Sequence, residues 1–274
     1  MGDGMEGEIP NVTAIGTCRV HLPLKKLEKE GKIILNNSSV NQYVHTTGEI
    51  LQRIELLNGG RMPPKTLQKY IFEDICLEKK QKFSIEDSDI VVIEVSSIKQ
   101  ISFGKYFLQL NRLIDETKAN LGTGEEFELW MTRLRRQIKD GQIVEIGNKR
   151  IAKNPDKILT QIDSKLLDEL DLERGLRKII NLLGSEILLV NHFNISKKGG
   201  GPLQSRQRLC QMMSSLSHRL DVELFDPTPL VNGRKRDKML KRDGEDINHY
   251  SELGEELAGK KIYKRITEIM ECNG

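Results

Sequence analysis

Two uninterrupted runs of apolar residues stand out along the chain, at residues 90–93 and 187–190. Runs of this length are typical of parallel strands that are buried on both faces of a sheet. Shorter strand-like patterns occur before, between and after them. We predict strands at residues 12–16, at either 32–35 or 42–45, and at 89–96, 186–190 and 222–225.

Helical periodicity fills the stretches between these strands. Apolar residues recur at helical spacing over residues 49–57, 125–139, 165–183 and 205–219. Alternation of strands and helices predicts an α/β fold in which helices cover both faces of a parallel sheet. Ligands of such sheets bind beyond the carboxyl ends of the strands, so functional residues are expected just after each strand.

The segment of residues 99–181 is longer than a single crossover connection requires. It contains a predicted helix around Trp130, whose basic face carries Arg133, Arg135 and Arg136, and a predicted hairpin at residues 141–151. One interpretation is an inserted subdomain or lid over the site. The other is a simple extension of the core and of one sheet edge.

The remaining boundaries follow from local composition. Residues 1–10 are acidic and glycine-rich, and we predict a disordered lead-in there rather than a signal peptide. Residues 11–274 are predicted to form one domain that carries the insertion at residues 99–181. The glycine-rich residues 197–202 predict a mobile connection.

Composition excludes several classes of protein. The chain is 37% hydrophobic and 30% charged, as soluble globular proteins are, and its net charge of +3 does not indicate a nucleic-acid binder. No apolar run approaches the ~20 residues of a membrane span. The 4 cysteines lack a C-x-x-C spacing, so we expect free thiols in a cytoplasmic protein, with no metal site and no cofactor.

Cys18 is the first candidate for chemistry, because it follows Gly16 at the predicted end of the first strand. A free cysteine is often a small buried apolar residue. If residues 23–30 form the first helix, however, backbone N–H groups and Arg19 would lower the pKa of the thiol and make it a nucleophile. Thr17 is the rival nucleophile.

Asp246 and His249 form the second candidate pair. An aspartate three residues before a histidine can orient one imidazole nitrogen and leave the other as a base. Asp246 is equally suited to cap a helix predicted at residues 250–260, and the two roles are compatible. A thiol, a base and an orienting carboxylate from the two ends of the chain would form a Cys-His-Asp triad.

Three motifs together resemble the SGNH (GDSL-like) hydrolase superfamily. They are Gly-x-Cys after the first strand, Asp-Ile-Val-Val-Ile-Glu-Val in the middle, and Asp-x-x-His-Tyr-Ser-x-x-Gly before the last helix. The resemblance implies a three-layer, flavodoxin-like α/β fold with a central parallel sheet of about five strands and a largely helical insertion. It places Cys18 where the family has its serine nucleophile, Asp246 and His249 in the last block, and Gly48 as the glycine whose N–H binds the oxyanion.

The third block departs from the family pattern of Gly-x-Asn-Asp. Residues 96–99 read Ser-Ser-Ile-Lys and contain no asparagine. Loss of one such amide donor costs ~2.7–4 kcal/mol in a serine hydrolase, which bears directly on turnover. The hydroxyl groups of Ser96 and Ser97 are candidates to replace it, as are His192 and Asn194.

Two further groups of residues complete the predicted site. His45 and His192 follow predicted strands and are expected at the rim with Arg19 and Asn194 as substrate-binding residues, although structural roles suit both histidines. Residues 234–242 are rich in Lys and Arg. They form either a solvated surface or a docking patch for the phosphates of coenzyme A or for an acidic carrier protein.

We therefore predict an acyltransferase, thioesterase or esterase that works through a thioester intermediate. Its partners would be small-molecule acyl donors and acceptors, with coenzyme A or an acyl carrier protein as candidate donors, and neither nucleic acid nor a membrane. The alternative is a binding protein of the same fold for an acyl, coenzyme A or carrier-linked ligand, with little or no turnover. A third hypothesis is a structural subunit that docks a partner through the basic segment.

Overall fold

The computed structural model describes residues 8–36, 43–72, 88–140, 161–196, 200–201, 203–232 and 235–273. The predicted hairpin at residues 141–151 lies outside the described residues, as do residues 1–7 of the predicted lead-in and most of the glycine-rich connection. Strands are numbered here in chain order: β1 (Asn11–Ile15), β2 (Ile34–Leu35), β3 (Ile90–Glu94), β4 (Lys99–Phe103), β5 (Tyr106–Leu108), β6 (Asp163–Leu166), β7 (Glu186–Val190) and β8 (Glu223–Phe225).

Helices occupy most of the chain between the strands. In chain order they are α1 (Cys18–Lys29), α2 (Thr47–Leu57), α3 (Lys65–Ile71), α4 (Leu110–Leu121), α5 (Glu125–Asp140), α6 (Glu169–Leu183), α7 (Gln204–Leu220), α8 (Thr228–Val231), α9 (Arg236–Met239) and α10 (Glu252–Asn273). Within the described ranges, no helix combines the length and the apolar character that crossing a membrane requires.

The chain divides into two compact units, and the first comprises residues 1–43, 81–96 and 180–274. Its sheet has the order β2-β1-β3-β7-β8, and every neighbouring pair is parallel. Counted within this sheet, the order is 2-1-3-4-5, which is the flavodoxin-like doubly wound arrangement. The predicted α/β fold with a five-stranded parallel sheet is therefore confirmed.

Burial explains why these segments became central strands. All five residues of β3 are buried, as are four residues of β7. On one face, Val12 and Ala14 of β1 belong to a core that includes residues of α1 and α10. The continuous apolar pattern that predicted two covered strands therefore reflects a sheet buried on both sides.

The second unit comprises residues 44–80 and 97–179. Its sheet is antiparallel, in the order β5-β4-β6, and Trp130 of α5 is fully buried in its core beside Leu134 and Ile101. The unit thus joins almost all of the predicted insertion with the segment that carries α2 and α3. A role as a lid stays a prediction.

Several element bounds differ from those predicted. Of the two alternatives for the second strand, β2 lies at the first, while residues 43–45 are not in a strand. The helix predicted from residue 165 begins at Glu169, because residues 163–166 form β6. The first helix begins at Cys18 rather than at residue 23, because the backbone N–H of Arg19 donates to the hydroxyl of Thr17, the N-cap residue.

Candidate functional site

The turn between β1 and α1 passes very close to the carboxyl end of β3. A Cβ atom added to Gly16 would lie 2.7 Å from Cβ of Glu94 and 3.2 Å from its backbone nitrogen. Only glycine fits at this distance without displacing β3. Gly16 therefore brings the residues after β1 against the end of the neighbouring strand.

Glu94 is the last residue of β3, and its side chain is fully buried. Its carboxylate accepts a hydrogen bond from the backbone N–H of Thr17 at 3.0 Å, another from the hydroxyl of Thr17, and a third from Nε of Arg19 at 2.5 Å. A buried charge needs such partners, because burial without them is costly. Thr17, the rival nucleophile, is itself only 3% exposed, and its hydroxyl is bonded to Glu94.

Cys18 is the first residue of α1 and is partly buried. Burial raises the pKa of its thiol and the Glu94 carboxylate raises it further, while Arg19 and Lys241 lower it, with a net rise. The expectation of a lowered pKa was therefore wrong. The reason is physical: desolvation outweighs the nearby cations, and the guanidinium of Arg19 is paired with Glu94.

Asp246 and His249 form the pair that their spacing predicts. Nδ1 of His249 lies 2.9 Å from Oδ2 and 3.0 Å from Oδ1 of Asp246. Burial alone would raise the pKa of Asp246, but hydrogen bonds from the backbone N–H of Asn248 and from His249 hold it below its ordinary value. The carboxylate fixes the tautomer in which Nδ1 carries the proton and Nε2 can act as a base.

Asp246 does not cap the last helix, so this alternative interpretation was wrong. α10 begins at Glu252, and the Ser251 hydroxyl accepts a hydrogen bond from the backbone N–H of Gly254 at 3.2 Å. The Ser251 carbonyl also accepts from the N–H of Glu255 at 2.9 Å. Ser251 is therefore the capping residue.

The pair lies in a loop of residues 240–250 that is closed by backbone hydrogen bonds; we call it the Asp-His loop. The N–H of Lys241 donates to the carbonyl of His249, and the N–H of Asp246 donates to the carbonyl of Lys241, each at 3.2 Å. Three consecutive residues at its tip have left-handed backbone conformations, with φ of 53° at Arg242, 49° at Asp243 and 80° at Gly244. Such conformations are uncommon outside glycine and persist only where the surrounding structure imposes them.

Two arginines from outside the basic segment anchor this loop. Nη1 of Arg19 donates to the carbonyl of Asn248 at 3.0 Å. Arg206, from the first turn of α7, donates from Nη1 to the carbonyl of Ile247 at 3.0 Å and from Nη2 to Oδ1 of Asn248 at 2.8 Å. Arg19 thus joins the turn that carries Cys18 to the residue next to His249.

The electrostatics of Cys18 involve residues of the same loop. The thiol interacts with Lys241 and with Tyr250, at the two ends of the loop backbone. Cys18 follows β1 at the carboxyl edge of the parallel sheet, where the fold class predicts a site, and the bond from Arg19 to Asn248 brings the loop to the same edge.

His192 and Asn194 follow β7 at this edge. His192 is 4% exposed, its Nδ1 lies 3.1 Å from the carbonyl of Phe193, and its own carbonyl accepts a hydrogen bond from Sγ of Cys210 at 3.0 Å. The backbone N–H of Asn194 donates to the hydroxyl of Thr228 at 3.0 Å. Their predicted roles in substrate binding stay predictions.

Other predicted residues belong to the second unit. The carbonyl of His45 accepts from the N–H of Ser97 at 3.0 Å, and the N–H of His45 donates to Oε2 of Glu49 at 3.1 Å. Gly48 is the second residue of α2, and a Cβ atom there would lie 2.7 Å from the ring of Phe107. Close packing therefore explains this glycine, while the oxyanion-binding roles of Gly48 and Ser97 stay predictions, as does that of Ser96 in the first unit.

The basic segment contains α9 and the start of the Asp-His loop. Nε of Arg236 donates to the carbonyl of Gly244 at 2.8 Å, so one cation of the basic segment supports the strained tip of the loop. Lys235 and Lys238 are exposed. Arg234 lies outside the described residues.

Comparison with known proteins identifies the family. A family model described as the TviD N-terminal domain matches residues 10–265. The chain belongs to this family. A relative, the Vi polysaccharide biosynthesis protein TviD of Salmonella typhi, is 23% identical over 274 residues, which cover 93% of this chain and 31% of the relative. This chain therefore spans about a third of the length of that relative.

Solved structures similar to this TviD-family chain include GDSL-type proteins. A G-D-S-L family protein from Veillonella parvula has a TM-score of 0.46 and 7% identity, covering 94% of this chain and 98% of that chain. An acetylxylan esterase from Geobacillus stearothermophilus has a TM-score of 0.44 and 11% identity, covering 93% of each chain.

Two residues of the site were missed by sequence reasoning. Glu94 is a single acidic residue within an otherwise apolar buried strand, and a charge in such a place signals a buried partner. Arg206 gives no comparable signal, because it is one of several basic residues at the start of an amphipathic helix. Only the fold brings it to the Asp-His loop.

Proposed function

We propose that this chain is an acyl-transfer enzyme in which Cys18 is the nucleophile, His249 the general base and Asp246 the orienting carboxylate. The observation that carries the proposal is the Asp246–His249 pair, held in a loop that Arg19 joins to the turn of Cys18. A base with one nitrogen fixed by a carboxylate is the arrangement that activates a hydroxyl or a thiol for attack.

The reaction has two balanced steps. Sγ of Cys18 attacks the acyl carbonyl while its proton passes to Nε2 of His249, and the same proton then leaves on the departing group as the bond between the acyl carbon and that group breaks. A thioester remains on the enzyme. In the second step an acceptor hydroxyl gives its proton to His249 and attacks the thioester. The bond between the acyl carbon and Sγ breaks, the acylated acceptor leaves, and His249 returns the proton to Sγ, which restores the thiol.

The raised pKa of Cys18 gives His249 a specific task. Because the thiol is protonated near neutral pH, attack requires a base that removes the proton as the new bond forms. His249 suits this role, since its Nδ1 is held by Asp246 while 46% of its side chain remains exposed to a substrate. The backbone N–H of Cys18, in the first turn of α1, suits the developing oxyanion, and Ser96 after β3 is the candidate second donor.

The substrate class follows from the relative's name and from charge. The relative is a polysaccharide biosynthesis protein, so we propose a carbohydrate hydroxyl as the acyl acceptor. Lys235, Lys238 and Lys241 would favour an acyl donor that carries phosphate, such as acyl-coenzyme A, or an acidic carrier protein. Water in place of the carbohydrate would give hydrolysis with the same residues.

Intact-mass spectrometry after incubation with a mixture of acyl-coenzyme A thioesters tests the proposal. We expect a mass gain equal to one acyl group, its absence in Cys18→Ala, and its retention in the matched control Cys272→Ala, which alters an exposed cysteine. A mass gain that persists in Cys18→Ala would assign the nucleophile elsewhere. Absence of both the mass gain and ester turnover in the wild-type chain would contradict the proposed enzymatic function.

The raised thiol pKa also supports a second candidate function, a binding protein of the same fold with little or no turnover. Such a protein would bind acyl-coenzyme A, measurable by calorimetry, with equal affinity in the wild-type chain and in His249→Ala. An enzyme would lose turnover in His249→Ala and keep its binding. The two candidates therefore differ in the turnover of the wild-type chain.

A further inference from the structure

One buried carboxylate is bonded to the residues on both sides of Cys18. Glu94 accepts hydrogen bonds from Thr17, which precedes the cysteine, and from Arg19, which follows it. Its side chain is fully buried, and that of Arg19 is 7% exposed. Low local dielectric strengthens such charge-assisted bonds, so the turn around Cys18 is fixed to the end of β3.

The same guanidinium reaches the Asp-His loop. Nε of Arg19 donates a hydrogen bond to Glu94, and Nη1 donates to the carbonyl of Asn248 at 3.0 Å. The ring of Phe193 lies against the guanidinium, with its centroid 5.7 Å from Cζ, and packs in turn on Tyr250 at the end of the loop. The planar guanidinium of Arg19 thus bonds Glu94 at the end of β3 through Nε and the Asp-His loop through Nη1.

We infer that Glu94 and Arg19 are positioning residues that hold the Cys18 turn and the Asp246–His249 pair in register with each other. The inference rests on the proposed function for its catalytic consequence, but the coupling itself is a property of the fold. Arg206 holds the loop from α7 and has no hydrogen bond to the turn among those that the structure records for it. It is therefore a second anchor of the loop and not part of the coupling.

The geometry demands an arginine at position 19. A lysine keeps the positive charge, but its single ammonium nitrogen cannot reproduce two donors held in a rigid plane. Arg19→Lys should therefore keep the pairing with Glu94 and lose the bond to Asn248. Glu94→Gln keeps the size of the side chain and removes the charge that orients Arg19.

Hydrogen exchange of the chain without substrate tests the coupling independently of turnover. The amides of Lys241 and Asp246 report on the loop, since their N–H groups close it. We expect both to exchange at least tenfold faster in Arg19→Lys and in Glu94→Gln, while the amides of β3 and β7 keep their wild-type rates. The matched control Arg265→Lys, an exposed arginine of α10 paired with Glu223 and Glu268, should leave the loop amides unchanged.

Two results would overturn the inference: loop amides that exchange at wild-type rates in both variants, or amides that accelerate equally throughout the parallel sheet. Acyl transfer provides the second readout. Misplacement of the base should lower kcat at least tenfold with little change in KM, because Nε and Nη1 of Arg19 are bonded to Glu94 and Asn248 and the Glu94 side chain is fully buried. An inactive wild-type chain with a loop that still responds to Arg19→Lys would reject the proposed function and keep the coupling.

Discussion

Nδ1 of His249 lies 2.9 Å from Oδ2 of Asp246, and the histidine side chain remains 46% exposed. The carboxylate therefore fixes the tautomer of an imidazole that solvent and substrate can still reach. His192, by contrast, is 4% exposed, with its Nδ1 3.1 Å from the carbonyl of Phe193. Exposure combined with a fixed tautomer is the property that general-base chemistry needs.

Asp246→Asn should lower kcat for acyl transfer by about 10²–10⁴-fold with little change in KM, because an amide no longer enforces the reactive tautomer. His249→Ala should abolish transfer altogether. The measurement is steady-state kinetics with the acyl donor identified by mass spectrometry. Asp243→Asn is the matched control in the same loop, since asparagine tolerates a left-handed backbone and the carboxylate paired with Nδ1 of His249 is that of Asp246. Equal losses in the two variants would show that loop integrity, and not the carboxylate, is what matters.

Sequence patterns predicted the parallel sheet well, because its strands are apolar on both faces. β7 has the bounds that the pattern predicts, and β3 lies within its predicted segment. The antiparallel sheet of the second unit was missed. β4 is mostly half-buried and shows no continuous apolar run, and its partner β6 lies some 60 residues further along the chain.

The candidate site was predictable in its residue types and not in its electrostatics. Asp246 and His249 could be paired from their spacing alone, since the contact is local. The pKa of Cys18 could not be predicted in this way, because it depends on burial and on Glu94, which is 76 positions further along the chain. Long-range burial of this kind leaves no local pattern in the sequence.

Alkylation by iodoacetamide should follow exposure and pKa, with Cys272 fastest, Cys18 slower and Cys210 slowest. Cys272 is exposed, burial raises the pKa of Cys18, and burial raises the pKa of Cys210 to about 12. This order is the reverse of what the lowered thiol pKa predicted for Cys18 from the sequence would give. Cys76 lies outside the described residues, so the comparison concerns the other three cysteines.

Peptide mapping after timed labelling at pH 7 and pH 9 measures these rates. Labelling of Cys18 should accelerate with pH as the thiolate fraction grows. Cys18→Ser, in which the labelled peptide disappears, controls for assignment. Faster labelling of Cys18 than of Cys272 at pH 7 would show an activated thiol and contradict the predicted order.

Gly16→Ala should destabilise the first unit by about 1–3 kcal/mol, the usual cost of forcing an extra methyl group into a packed site. The new Cβ atom would lie 2.7 Å from Cβ of Glu94, and backbone on both sides limits relaxation. Urea unfolding measures the loss. Gly201→Ala is the control, because a Cβ atom there meets nothing within 4 Å. A Gly16→Ala chain as stable as the control would mean that β1 and β3 are less closely apposed than described.

Glu49 should make the stability of the second unit depend on pH. The side chain is 7% exposed, and burial raises the pKa of its carboxyl to about 8, although hydrogen bonds from Thr46 and from the N–H of His45 lower it. Above pH 4.5, the ordinary pKa of a glutamate carboxyl, the unfolded chain releases a proton that the folded chain keeps on Glu49. Between these two values the folded state binds more protons, so stability falls as pH rises and the contribution is lost above about 8.

Thermal unfolding at pH 6.5, 7.5 and 8.5 should show a falling midpoint for the wild-type chain and a smaller change for Glu49→Gln. Glutamine at this position keeps the reciprocal bond to the Thr46 cap, so the variant should fold, and it should be the more stable chain at pH 8.5. Burial lowers the pKa of His21 to about 4, and this group is uncharged in the folded chain throughout the range. It is present in both chains and cancels in their difference. Parallel pH curves for the two chains would place the titrating group elsewhere than Glu49.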